Sequence, residues 1–149
     1  MIRVQSEDFD PGVEIARFGA GRTEIGGIAT FVGLVRGGGD GVQAMTLEHY
    51  PGMTERQLQQ VEAEARRRWP VLEVAIIHRF GKLQPGERIV FVAVCAAHRQ
   101  DAFAACEFLV DWLKTKAPFW KLEERPEGAD WVAARSEDEL RASRWGKTG

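Results

Sequence analysis

Along the chain, hydrophobic and polar positions alternate with two periods. Leu58, Val61, Ala65 and Trp69 recur at the spacing of one helical stripe, and Glu55, Arg56, Glu62 and Arg66 lie opposite it. The spacing predicts a helix that opens with Thr54-x-x-Gln57 as a capping box, ends near Arg68 and is stopped by Trp69-Pro70. A second long helix starts at about Gln100, behind His98-Arg99. Phe103, Cys106, Val110 and Leu113 form its buried stripe, and Pro118 ends it.

Period-two stretches mark the strands. They are Gly26 to Arg36, Val42 to Tyr50 with Met45, Leu47 and His49 on one face, Val74 to Phe80, and Phe119 to Arg125. Arg88 to Ala97 is almost continuously apolar, as a central strand covered on both faces would be. Shorter elements complete the chain: an edge strand at Ile2 to Val4, a helix opened by Asp10-Pro11, a strand at Trp131 to Ala133, and a last helix opened by Ser136-x-x-Glu139. Pro51-Gly52, Gln84 to Glu87 and Pro126 to Gly128 are turns, and the glycines of Gly26 to Arg36 imply a close backbone approach or a bulge. The pattern predicts an α+β fold in a single domain, 1–149, with a mixed or antiparallel sheet and two main helices. Residues 42–80 read as a β-α-β unit with parallel strands.

Composition narrows the function classes. Hydrophobic residues make up 44% and charged residues 28%, as in a globular chain. A net charge of -2 argues against a general nucleic-acid binder, and the longest apolar run, Ile89 to Ala97, is too short to span a bilayer. Two cysteines without metal-ligand spacing, and no signal-peptide core, fit a reducing, cytoplasmic compartment. Gly37 to Gly41 lacks the Gly-Lys-Ser/Thr ending of a phosphate loop and reads as a mobile hairpin loop.

Leu113 to Lys121 carries the candidate chemistry. Three lysines, Lys114, Lys116 and Lys121, crowd a helix-to-strand corner around Pro118, with Phe119 and Trp120 to pin the backbone. Such a corner can hold an anion or supply an amine. Equally, its lysines can cap helix carbonyls, with Lys114 paired to Asp111 one turn back. Arg36, His98 and Arg99 also fall at element ends, so convergence of those ends would make a basic pocket in an acidic chain. No catalytic triad, activated thiol or paired carboxylate stands out. Residue chemistry alone stops at an anion-binding α+β domain.

The strings Phe31-Val32-Gly33-Leu34-Val35-Arg36, Leu47-Glu48-His49-Tyr50-Pro51-Gly52-Met53, Ala97-His98-Arg99 and Leu113-Lys114-Thr115-Lys116-Ala117-Pro118-Phe119-Trp120-Lys121 closely resemble the catalytic (large) subunit family of molybdopterin synthase. The resemblance runs from about Ile28 to Trp145 and implies a hammerhead-like α+β fold. It implies sulfur transfer that converts cyclic pyranopterin monophosphate to molybdopterin, with no cofactor and no metal. The implied partners are a small ubiquitin-like sulfur carrier ending in a Gly-Gly thiocarboxylate and a second copy of the chain. By the same resemblance Lys114 and Lys121 are catalytic, with Leu34, Val35, Arg36, His98, Arg99, Leu122 and Glu123 lining the substrate site. Glu123 would orient a lysine or arginine. Arg135 also matches a family position, and Lys116 lies at a variable one. The alternative reading is a non-catalytic module that docks an anion or a partner's C-terminal tail. A single-stranded nucleic-acid binder stacking on Phe119 and Trp120 fits the charge poorly.

Overall fold

The computed structural model describes residues 1–37, 43–116, 119–125, 128–132 and 136–146. In chain order the elements are β1 (Ile2–Gln5), α1 (Pro11–Arg17), β2 (Gly27–Leu34), β3 (Ala44–His49), α2 (Met53–Arg68) and β4 (Val71–Arg79). There follow β5 (Gly81–Leu83), β6 (Arg88–Ala96), α3 (Arg99–Thr115), β7 (Phe119–Arg125), β8 (Gly128–Val132) and α4 (Ser136–Ser143). The strands form two four-stranded sheets, β1-β4-β6-β2 and β5-β3-β7-β8. The first is mixed, because β1 runs parallel to β4 while the other pairs are antiparallel. The second is antiparallel throughout.

The apolar run of β6 is explained by burial on both sides. Val90, Val92, Val94 and Ala96 face α2 and α3, where they meet Val61, Ala65, Ala105 and Leu109. Phe91 and Ala93 face the other way, against Phe9, Ala75 and Ile77. A smaller cluster of Val35, Leu47 and Leu83, with Ile89 and Phe119 packed on it, joins the two sheets. The glycines at and just before β2 act as expected. A Cβ on Gly26 would lie 1.9 Å from the Ala97 carbonyl oxygen, and the β2–β6 register shifts at Gly33/Leu34.

Several expectations are corrected. The strand–helix–strand succession β3-α2-β4 exists, but its strands belong to different sheets and do not pair in parallel. Periodicity identifies the strands and says nothing of which partner each finds. Helix α2 starts one residue before Thr54, with Gly52 as its cap residue, whose N–H donates to Glu55 Oε1 at 3.0 Å. Thr54 is buried, and its Oγ1 accepts from the Tyr50 N–H at 3.2 Å. Phe103 is 64% exposed, because α3 turns Ala102, Ala105, Cys106 and Leu109 to the sheet instead. Asp111 does not pair with Lys114. It accepts from Trp145 Nε1 at 2.6 Å and from Arg144 at 3.3 Å, which ties the turn just after α4 to α3. The short strand β5 was not expected. Most of the 37–41 loop, Pro118 and Arg135 lie outside the described residues.

Candidate active site

In the second sheet the register pairs Leu47 with Lys121, His49 with Phe119 and Met45 with Glu123. Because successive strand residues alternate between faces, Phe119, Lys121 and Glu123 share one face with those partners, and Leu122 points the other way. That face meets the end of α3, which delivers Lys114 in its last turn. Where they meet lies a cavity of about 90 Å³. Its wall is mostly apolar, from Phe31 and Gly33 of β2, Leu47, Ile89, Val90, Val110, Leu113 and Phe119. Its polar groups are Lys114, Thr115, Lys121 and His78. The two expected lysines, seven positions apart in the sequence, both line this one cavity, Lys121 half-buried and Lys114 exposed.

His78 is the residue the sequence did not single out for chemistry. It is 7% exposed on β4, and its ring stacks on Phe119 with centroids 3.8 Å apart and 15° between planes. Phe119 lies in turn beside His49, 6.2 Å away, so rings from β4, β7 and β3 lie one against the next across the seam between the sheets. The His78 Nδ1 lies 2.8 Å from the Arg79 carbonyl oxygen. A carbonyl only accepts, so Nδ1 carries the proton and Nε2 is a bare acceptor. Burial, with Lys121, Lys114 and His49 nearby, pushes the imidazole pKa down to about 4, which keeps the ring neutral. The alternation Val74, Ile76, His78, Phe80 could have marked its inward face, but only the pairing of two sheets brings it to the lysines.

The other expected residues divide. Glu123 is buried and its Oε2 accepts from Arg125 at 2.6 Å, so it orients an arginine. Leu34 is exposed while Val35 is buried. The Val35 N–H donates to the Glu87 carbonyl at 2.9 Å and its own carbonyl accepts from the Gly86 N–H at 2.8 Å, so that backbone is committed to structure. Arg36 is exposed just beyond and does not line the cavity. His98 and Arg99 are exposed at the start of α3, and Lys114 is at its other end. At 1.5 Å per residue that separation is about 22 Å, too far for a shared pocket within one chain. The thiols are not candidates: burial pushes Cys106 up to about 12 and raises Cys95.

Residues 4–116 match the family model described as MoaE protein. The molybdopterin synthase catalytic subunit of Ralstonia nicotianae is 54% identical over 147 residues, covering 97% of this chain and 84% of that protein. Its Escherichia coli counterpart is 56% identical over 128 residues, 85% of each chain. Among solved structures, the molybdopterin biosynthesis MoaE protein from Burkholderia ambifaria superposes with a TM-score of 0.84 at 55% identity, covering 99% of both chains. Molybdopterin synthase from Staphylococcus aureus superposes with a TM-score of 0.79 at 31% identity, covering 88% of this chain and 96% of that one.

Proposed function

This chain belongs to the MoaE family, and we propose that it works as a molybdopterin synthase catalytic subunit in which Lys114 and Lys121 act on a partner's thiocarboxylate tail. The observation that carries the reading is that one cavity is lined by both lysines, with Lys114 exposed and Lys121 half-buried. At about 90 Å³ it is far smaller than the roughly 300–1,000 Å³ of a pocket that swallows a whole ligand. It fits the tip of an extended, side-chain-free tail, such as the Gly-Gly terminus of a small ubiquitin-like carrier. The cyclic pyranopterin monophosphate would then sit at the mouth.

In this reading the thiocarboxylate sulfur bonds to a side-chain carbon of the pyranopterin as a C–O bond at that carbon breaks. The oxygen leaves on the phosphate as its ring opens or, once protonated, as water. The acyl–sulfur bond breaks when water or an amine takes the acyl group, and one sulfur of the dithiolene stays behind. A second round supplies the other. The lysines bind the carboxylate-like end and move protons as charge shifts between sulfur, acyl oxygen and the opening cyclic phosphate. Preorganised cations beside a partly apolar wall are effective there, because less solvent has to rearrange.

The phosphate end needs further cations. Arg36 follows the strand that walls the cavity. His98 and Arg99, about 22 Å away along their own helix, would serve the mouth only from a second copy of the chain. A homodimer with composite sites accounts for all the matched basic residues. The whole chain, 1–149, is then one functional domain, and the buried, unpaired cysteines suit a cytoplasmic setting. No helix among the described residues is long and apolar enough to cross a membrane.

The test is reconstitution with a thiocarboxylated small subunit and cyclic pyranopterin monophosphate. Wild type should form molybdopterin. Lys114→Ala and Lys121→Ala should each lose about a hundredfold or more in rate while still binding the small subunit. Loss of binding with no intrinsic activity in wild type would instead favour a docking module. Mixing Lys121→Ala with Arg99→Ala should recover activity if sites are composite.

A further inference from the structure

We propose that His78 is a positioning residue of the lysine cavity, a neutral imidazole whose Nε2 accepts a hydrogen bond from a lysine ammonium and so fixes where that ammonium points. The inference deepens the reading of Lys114 and Lys121 as the working amines. Three observations carry it. His78 lines the same small cavity as both lysines. Its Nδ1–H is committed to the Arg79 carbonyl, which fixes the tautomer and leaves Nε2 as the ring's one remaining polar atom. Stacking on Phe119, two residues before Lys121, holds the ring plane still.

The groups that face the ring are Lys114 from α3, Lys121 from β7 and His49 from β3. The neighbouring Arg79 guanidinium is engaged elsewhere, with the carbonyls of Ser6 at 3.1 Å and Arg88 at 2.9 Å. Among these cations a protonated imidazole would repel the lysines, whereas a neutral one offers them a lone pair. Burial holds the ring in the neutral form across the working pH range. It is an acceptor that does not take the proton it points at. A purely structural role, in which His78 only stacks on Phe119, would be served as well by phenylalanine.

That difference sets the experiment. Reductive methylation of the intact protein at a series of pH values, read by peptide mass mapping, reports the protonation of each lysine without requiring activity. In His78→Phe the labelling midpoint of Lys114 or Lys121 should fall by about one pH unit, as expected when an ammonium loses an acceptor. The exposed Lys82, on β5, serves as control. His78→Gln, which can place an oxygen near the Nε2 position, should restore the midpoint toward wild type. His78→Asn mimics only the Nδ1 side and should not. In reconstitution, kcat should follow the same order with KM little changed. Equal midpoints in wild type and the Phe variant would overturn the proposal. If His78→Phe fails to fold, equal midpoints in the Gln and Asn variants would overturn it in the same way. A shifted midpoint in a protein that makes no molybdopterin would leave the positioning role standing and remove the sulfur-transfer reading.

Discussion

The buried imidazole at 78 makes stability depend on pH in a way that can be worked out in advance. In the unfolded chain this histidine protonates near its ordinary value of 6.5, whereas in the fold it stays neutral down to about 4. As pH falls below 6.5 the unfolded chain gains a proton that the fold refuses, so stability is lost between about 6.5 and 4 and is flat below. At 1.36 kcal/mol per pH unit the full loss is about 3 kcal/mol. With the side chain almost wholly inaccessible to water, no screening discount applies. The measurement is urea denaturation followed by tryptophan fluorescence at half-unit steps from pH 7.5 to 4, on wild type and on His78→Gln. Carboxylates titrate in both proteins and cancel in the difference. Wild type should lose about 3 kcal/mol relative to the variant over this range, equivalent to a melting shift of roughly 6–12 °C. A difference that stays constant with pH would mean that the ring takes up its proton in the folded state, and the account of the cavity as a site with a neutral acceptor would be wrong.

Two further substitutions probe the frame around the site. Gly26→Ala places a methyl 1.9 Å from the Ala97 carbonyl oxygen, at a residue whose own N–H is held by the Ala96 carbonyl at 2.9 Å. Neither backbone can yield cheaply, so thermal unfolding should show a loss of about 3 kcal/mol. A melting point within a degree of wild type would refute the close approach. Trp145→Phe keeps the ring packing on Trp69 and Phe108 but removes the indole N–H from buried Asp111. It should cost about 2 kcal/mol by chemical denaturation, the worth of a hydrogen bond to a buried charge.

Much of this was legible in the sequence because it depends on local pattern. The two long helices, the central strand at Arg88 to Ala97 and the lysine corner follow from periodicity, burial and the proline that comes after α3 in the sequence. Their relations in space were less legible. The pairing of β3 with β7 and not with β4 is a long-range choice that a 3.6- or 2-residue period does not encode. Phe103 fits the helical stripe by spacing, yet α3 is rotated so that alanines meet the sheet and permit closer packing. At the site, the lysines were visible as a cluster in sequence. His78 was not, because a histidine alternating with isoleucines resembles any core histidine until a second sheet sets two amines beside it. The separation of His98 and Arg99 from Lys114 was implicit in helix length, but only a fixed start and end for α3 turned it into a distance.

The rigidity of α3 has an evolutionary corollary. This helix carries basic residues at both extremities and a sheet-packed middle, so it behaves as a gauge block whose count of residues is itself constrained. One inserted residue would swing Lys114 by about 100° and advance it about 1.5 Å relative to Arg99, turning it away from the cavity it lines. Length variation among descendants of this chain should therefore gather in the connections outside residues 99–115, while α3 tolerates exchange of side chains but not a change in its number of residues.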